Sequence, residues 1–199
     1  MKTSLRKAWI LAAVMLIACS LANGQDKRIE LAAGSLEISL VLPVELEAFS
    51  EAQMALVREK GIAAQYIFSD PQRDLIAAIN TFGSGAHESE LAKVGEQLEA
   101  AAKKRGGVAG EVKRDIITMN GKKWLYVSFK EGTGSAELIN DYFVTDWVGK
   151  YVLINFSSPT ARYESYKGVV ERSAQSVQLG FVAKSTEVDS RARSDKKDP

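Results

Sequence analysis

Two adjacent residues, Asn120 and Gly121, limit most strongly what this chain can fold into. They separate two segments rich in β-branched and aromatic residues, "EVKRDIITM" and "KKWLYVSFKE". An Asn-Gly pair between such segments is the strongest short-range signal for a two-residue β-hairpin, because both turn positions need a positive φ. The sequence therefore predicts two antiparallel strands that are joined at this pair.

Further strands are predicted on both sides of this hairpin. Downstream, "AELINDYFVTDWV" and "KYVLINFSS" are also rich in aromatic and β-branched residues and are joined at Gly149. Upstream, "SLEISLVLP" places alternate apolar residues on one face of a strand that Pro43 ends. The segments "AAQYIFSDP" and "DLIAAINTFG" are predicted as two strands on either side of the turn pair Asp70-Pro71.

Three helices are predicted between and after these strands. The first lies in "LEAFSEAQMALVREKG", with Ser50 as a cap, and the second in "ESELAKVGEQLEAAAKKRGG", where apolar residues recur at helical spacing. The third is expected to start with Ser158 as cap and Pro159 in the first turn, and to end near Gly180. Local hairpins without regular βαβ alternation predict an α+β fold, an antiparallel sheet of about six to seven strands covered by helices.

The first 24 residues have the three parts of an export signal. Lys2, Arg6 and Lys7 form a basic start, an apolar run follows, and small residues lie near a cleavage point. The apolar run of about 11 residues is well below the ~20 that a membrane-spanning helix needs. We therefore expect an exported bacterial protein, located in the periplasm or cell envelope.

Two processing sites compete at the end of this leader, in "LIACSLANGQ". The residues before Cys19 match a lipid-attachment site, and Cys19 is the only cysteine of the chain. Small residues up to Gly24 also match ordinary cleavage before Gln25. The first alternative predicts a lipoprotein that is held at the membrane by a lipid on Cys19, and the second predicts a soluble exported protein.

Charge and composition define the remaining parts of the chain. Three of the 26 basic residues lie in the leader, which has no acidic residue, so 23 basic and 25 acidic residues are left. This balance does not favour a nucleic-acid partner. We expect a polar tether at residues 25–35 and a single α+β domain at 36–182. We expect a disordered charged tail at 183–199, because it has too few apolar groups to offset its ordering entropy.

The order of these elements resembles a known superfamily. A strand that ends in proline, a central helix, a hairpin bearing Trp124, the long hairpin "YFVTDWVGKYVLINFSSP" and the closing helix "YESYKGVVERSAQSV" are similar to the PsbP-like α/β/α sandwich. That superfamily includes the photosystem II extrinsic protein and exported bacterial lipoproteins of the DcrB and LpqN kind. The resemblance covers roughly residues 34–180 and implies a non-enzymatic accessory or binding protein. It implies no particular site residue.

Three short patterns of the sequence have some of the residues of known sites. His87, the only histidine, has acidic neighbours but no other histidine or cysteine is available to join it, so we expect a solvated loop residue and no metal site. "GSG" at 83–85 lacks the third glycine of a dinucleotide site. Tyr163 and Lys167 have the Tyr-x-x-x-Lys spacing of short-chain reductases, but no nucleotide-binding half accompanies them, and Tyr163 is expected in the core.

The sequence therefore predicts no catalytic, cofactor-binding or metal-binding residue, and no cofactor. The function that it favours is a non-catalytic exported envelope protein, a lipoprotein, that binds a partner protein or a small ligand. Two alternatives stay open. One is a hydrolase with an unrecognised pair of carboxylates, and the other is a purely structural envelope lipoprotein.

Overall fold

The Asn120-Gly121 pair forms the predicted two-residue hairpin. The φ angles of Asn120 and Gly121 are 50° and 73°, as this turn requires. Val148 and Gly149 form the corresponding turn of the next hairpin, with φ angles of 52° and 72°. A β-branched residue such as Val148 is strained in this region, whereas asparagine and glycine adopt it readily.

The computed structural model describes residues 26–104 and 107–181. The predicted export signal at 1–24, the processing residues Cys19, Gly24 and Gln25, and the predicted tail at 183–199 lie outside the described residues.

The described residues form ten strands, three α-helices and two short 3-10 turns. The strands are β1 (Asp26–Ala33), β2 (Leu36–Pro43), β3 (Glu47–Ala48), β4 (Tyr66–Ser69), β5 (Ile76–Phe82), β6 (Val108–Met119), β7 (Lys122–Glu131), β8 (Leu138–Trp147), β9 (Lys150–Pro159) and β10 (Gln178–Phe181). The helices are α1 (Glu51–Glu59), α2 (Leu91–Lys104) and α3 (Tyr163–Gln175), and the 3-10 turns are Glu88–Glu90 and Gly134–Ala136. No helix within these ranges has the length and apolar character that crossing a membrane requires.

The strands form two antiparallel sheets. Seven of them lie in the order β3-β4-β5-β9-β8-β7-β6, and the other three lie in the order β1-β2-β10. The four strands β6 to β9 pair in succession, and the turns at Asn120-Gly121 and at Gly149 lie where the sequence predicts them. The predicted α+β fold with an antiparallel sheet covered by helices is therefore confirmed, and a small second sheet is added to it.

The tether predicted at residues 25–35 is wrong for most of its length. Asp26–Ala33 is strand β1, paired antiparallel with β2 from Asp26 opposite Pro43 to Ala33 opposite Leu36. The reason is visible in the residues, because Ile29, Leu31 and Ala33 alternate with exposed residues and pack against the core. The folded part described here therefore starts at Asp26 and not at residue 36.

The boundaries of the third predicted helix are also wrong. Ser158 and Pro159 end strand β9, where Pro159 lies opposite Leu138, and α3 begins only at Tyr163. A proline is tolerated at a strand end because no ladder hydrogen bond is lost there. The helix ends at Gln175, and the residues that follow pair with β2 as strand β10 instead of continuing the helix.

The two faces of the seven-stranded sheet are covered by different elements. On one face α2 packs against β6, β7 and β8. On the other face α3 packs against β9 and against β2 of the small sheet. The large, fully buried side chains on the α3 side of the sheet include Ile38, Leu40, Ile154 and Phe156. The core is therefore two apolar layers, one on each face of a single sheet.

The hairpin at Gly121 supplies a test of the fold. We expect Gly121→Val to lower the free energy of unfolding by about 1 kcal/mol or more, because a β-branched residue is strained at positive φ. No heavy atom within 4 Å meets an added Cβ there, so the loss reports conformation and not a clash. Gly168→Ala in α3 is the control, and it should retain full stability. Equal denaturation midpoints for Gly121→Val and the wild type would show that this turn does not constrain the sheet.

Candidate functional site

A groove of about 760 Å³ lies between α3 and the adjacent face of β6, β7 and β8. It continues into a second groove of about 650 Å³, with which it shares Tyr126, Tyr163 and Lys167. We call the two together the α3 groove, and its halves the Asp141 half and the Glu137 half. Residues that line the Asp141 half include Asp115, Ile117, Tyr126, Asp141, Phe143, Tyr163, Lys167, Val170 and Glu171.

A buried carboxylate lies in the floor of the Asp141 half. Asp141 is 1% exposed, and the hydroxyl group of Tyr126 donates to its Oδ1 at 2.8 Å. The hydroxyl group of Tyr163 donates to its Oδ2, also at 2.8 Å. Among the described residues, no Lys, Arg or His lies within salt-bridge distance of Asp141. Two neutral hydroxyl groups therefore satisfy this carboxylate in place of a cation.

The strand register brings these groups together. Tyr126 in β7 lies opposite Phe143 in β8, and their rings are 5.2 Å apart. Asp141 is two residues before Phe143 and thus points to the same face of the sheet. Tyr163 is the first residue of α3, which reaches this face after the chain leaves β9. The arrangement therefore depends on the β7–β8 pairing and on where α3 begins.

The environment of the carboxylate raises the pKa of both tyrosines. Burial raises the pKa of Tyr126 to about 12, and the charge of Asp141 adds to the effect. Burial and then the same charge raise the pKa of Tyr163. Both hydroxyl groups are thus neutral donors at neutral pH, and this shift moves them away from the range in which they would transfer protons readily.

The two halves of the α3 groove differ in charge. Three acidic residues, Asp115, Asp141 and Glu171, line the Asp141 half against one basic residue, Lys167. The Glu137 half is lined by three glutamates and three lysines. In the Glu137 half, Lys130 donates to Glu137 at 3.1 Å, and a threonine hydroxyl group donates to the same carboxylate. Only the Asp141 half therefore carries an excess of negative charge.

The structure brings one of the sequence patterns into this groove. Tyr163 and Lys167 lie one turn apart on α3, and both line both halves. The hydroxyl group of Tyr163 faces Asp141, so the tyrosine is half-buried at the groove and not fully in the core. In a tyrosine that acts as a base, the pKa is lowered toward the working pH, whereas here it is raised.

His87 and the "GSG" segment lie elsewhere. His87 precedes the 3-10 turn Glu88–Glu90, and its Nδ1 accepts from the Ser89 backbone N–H at 3.4 Å. Gly83 and Gly85 have positive φ values in the loop before this turn. Within residues 26–104 and 107–181, no cluster of three His, Cys, Asp or Glu could hold a metal ion.

Sequence reasoning missed Asp141 and Tyr126. One signal was available in the strand segment "LINDYFVTDW". Asp141 is a charged residue there, and it lies on the same face of the strand as the apolar core residue Phe143. A buried carboxylate needs partners, but the sequence does not say which residues supply them. Tyr126 and Tyr163 are 37 residues apart, so only the tertiary fold pairs them with Asp141.

A second surface lies at the β8–β9 turn. Val148 and Phe181 are 57% and 59% exposed, and the ring centroid of Phe181 is 6.0 Å from that of Trp147. The ammonium group of Lys122 lies 5.0 Å from the centroid of the Trp147 ring. Trp147, Val148 and Phe181 do not line the α3 groove.

The hydrogen bond from Tyr163 predicts a loss of stability on substitution. Tyr163→Phe removes one of the two donors to a buried carboxylate, so we expect the free energy of unfolding to fall by about 1.5–3 kcal/mol. Tyr166→Phe on the same helix is the control, because Tyr166 does not donate to Asp141. Its free energy of unfolding should fall by a clearly smaller amount. Chemical denaturation of the three proteins measures the difference, and equal losses would contradict the role of Tyr163.

The raised pKa values predict how stability changes at alkaline pH. Tyrosine in an unfolded chain has a pKa of about 10, so above that pH the folded state keeps protons that the unfolded state loses. This contribution to the free energy of unfolding is fully present below the pKa of tyrosine in the unfolded chain. It is lost as the pH rises through about 12, the pKa of Tyr126 in the folded protein. The midpoint temperature of thermal unfolding, measured across this pH range, should fall more steeply for the wild type than for Tyr163→Phe. Parallel curves would contradict the assignment.

Comparison with known proteins identifies the fold. No protein-family model matches the chain, and no curated protein sequence matches it significantly. The solution structure of cyanobacterial PsbP (CyanoP) from Synechocystis sp. PCC 6803 matches with a TM-score of 0.58 and 14% identity, over 79% of this chain and 94% of that chain. The Ran-binding protein Mog1p of Saccharomyces cerevisiae matches with a TM-score of 0.52 and 12% identity, over 78% and 96%. The chain therefore has a PsbP-like fold, as its order of elements predicts.

Proposed function

We propose that this protein is a non-catalytic exported envelope protein, lipidated at Cys19, that binds a partner protein or a small ligand in the α3 groove. The observation that carries the proposal is the state of Asp141. Both of its carboxylate oxygens accept hydrogen bonds at 2.8 Å, and the side chain is 1% exposed. Such a carboxylate is covered and held in one orientation, which supports a fixed polar group of a binding site over a nucleophile.

The other polar groups of the groove support binding rather than catalysis. A carboxylate-pair hydrolase needs two carboxyl groups that face the scissile bond, and Asp141 has both oxygens engaged by tyrosines. A tyrosine that transfers a proton needs a pKa near the working pH, and the pKa of Tyr163 is raised. An open groove with apolar walls and a few fixed polar groups is typical of a ligand site.

Two further observations are consistent with this proposal. One protein of the same fold is described as a Ran-binding protein, so the fold serves protein binding in that case. The first 24 residues of this chain have the pattern of an export signal, and Cys19 occupies the position that lipid attachment requires. A lipid on this cysteine would hold the domain at the envelope membrane.

Export and lipidation are tested together by Cys19→Ser. We expect the wild type to fractionate with the membrane, and we expect the variant either to lose this association or to stay uncleaved. Ser20→Ala is the control, because it changes the neighbouring hydroxyl group and leaves the thiol that carries the lipid. Mass spectrometry that finds Gln25 as the first residue of the mature wild type would exclude the lipid anchor and leave soluble export.

Use of the α3 groove is tested by reversing one exposed charge. Glu171→Lys changes the Asp141 half, and Glu96→Lys makes the same change on the exposed surface of α2. With tagged mature protein returned to its own cells, we expect the Glu171 variant to recover at least tenfold less of a partner that quantitative mass spectrometry identifies with the wild type. The Glu96 variant should recover the wild-type amount. Equal recovery by both variants would show that the groove is not the binding site.

A further inference from the structure

We propose that the Asp141 half takes the guanidinium or ammonium group of a basic side chain, carried by an extended segment of a partner protein. This inference rests on the proposed use of the α3 groove as a binding site and names the chemistry of its ligand. Three independent features of the lining lead to it, namely its charge, its hydrogen-bonding groups and its shape.

The charge of the lining favours a cation. The Asp141 half has an excess of two acidic side chains, and the most buried of them, Asp141, has no cationic partner among the described residues. Lys167, the basic residue of that lining, is exposed on α3 and forms no described ion pair with Asp141. A negative charge beneath an apolar wall is poorly screened by water, so it attracts a positive group strongly.

The hydrogen-bonding groups of the floor favour a donor. The hydroxyl groups of Tyr126 and Tyr163 donate their only protons to Asp141, so they have only lone pairs left to offer a ligand. Asp141 itself is covered, so it acts on a ligand through its charge. A guanidinium or ammonium group has donors and no acceptor, and it therefore complements this floor. A carboxylate or phosphate ligand would meet lone pairs and negative charge.

The apolar part of the same half suits the stem of a long basic side chain. Ile117, Phe143 and Val170 line it beside the polar floor. Arginine and lysine have methylene stems that pack along apolar surface while the charged head reaches a polar group.

The shape of the groove favours a polypeptide over a compact molecule. The groove follows α3 from Gln175 at one end to Glu164 at the other, and a helix of 13 residues is about 20 Å long. An extended segment of about six residues has the same length. The Glu137 half, with its balanced lysines and glutamates, would lie beside the rest of such a segment and adds no charge preference.

Peptide binding to the intact mature protein tests the proposal. The probe is an acetylated and amidated peptide of about six residues, with one central arginine between two leucines. It is compared with the same peptide carrying citrulline, which keeps the shape and loses the charge, and with one carrying glutamate. We expect the citrulline peptide to bind at least tenfold more weakly and the glutamate peptide to show no binding in NMR titrations. Added salt should weaken the binding of the arginine peptide and of neither other peptide.

Variants of the protein locate the effect. Asp141→Asn should lower the affinity for the arginine peptide at least tenfold. Asp146→Asn, in the same strand but paired with Lys122 outside the groove, should leave it unchanged. If Asp141→Asn does not fold, the exposed pair Asp115→Asn and Glu171→Gln replaces it and should weaken the arginine peptide selectively. Unchanged affinity in the folded variants would overturn the assignment to the Asp141 half.

The outcomes also separate this inference from the proposed function. Equal affinity for the arginine and citrulline peptides would refute the selection of a cation and leave the groove as a peptide site. Binding of N-acetylarginine amide as tightly as the whole peptide would refute the extended partner segment in favour of a small cationic ligand. The protein could also bind none of these peptides and still recover its partner in a way that depends on Glu171. That result would refute this inference and leave the proposed use of the α3 groove intact.

Discussion

Both faces of the seven-stranded sheet carry apolar side chains, and this constraint determines where the other elements lie. In β8, Phe143 faces the layer of α3 and the small sheet, whereas its neighbour Val144 faces α2. A sheet with two apolar faces needs a covering layer on each. Without α2 the Val144 side would be exposed, and without α3 and the small sheet the Phe143 side would be.

The α3 groove exists because one of these layers is incomplete. α3 packs against β9 and β2, whereas β6 and β7 at the sheet edge receive less cover on that face. Ile117 and Tyr126 are consequently half-buried. Asp141 lies at the boundary between the covered and the open part, where a carboxylate can be buried only if donors replace its water. The two tyrosine hydroxyl groups supply that replacement and fix the floor of the groove.

The sequence predicted the local parts of this fold well because their signals are local. The turn at Asn120 and Gly121 needs residues that tolerate positive φ, and Ser50 caps α1 through its hydrogen bond to the Gln53 backbone, as its position indicates. Strand β1 was missed because its charged residues, among them Asp26, Lys27 and Glu30, also fit a polar tether that follows a leader. The closing helix was given too early a start because Pro159 suits both a first helical turn and a strand end.

The site was harder to predict than the fold for a physical reason. The chemistry of Asp141 depends on Tyr126 and Tyr163, and neither is close to it in sequence. A tyrosine in a strand is equally consistent with packing alone, so nothing local marks Tyr126. The Tyr-x-x-x-Lys spacing did place Tyr163 and Lys167 together, but the pKa of the tyrosine rises beside Asp141, which is opposite to what its use in reductases requires.

Strand β1 also changes what a lipid on Cys19 would do. With Asp26 in the small sheet, six residues separate Cys19 from the folded domain, and they span at most about 25 Å. A longer tether would let the domain reach a partner far from the membrane, whereas one of this length would keep Asp26 near the lipid surface. Phe181 lies opposite Leu36, at the other end of β2 from the pairing with Asp26, so the exposed patch at Trp147 and Phe181 is about one strand length further away. A partner of a lipidated protein must therefore reach a domain whose first strand begins within about 25 Å of the membrane.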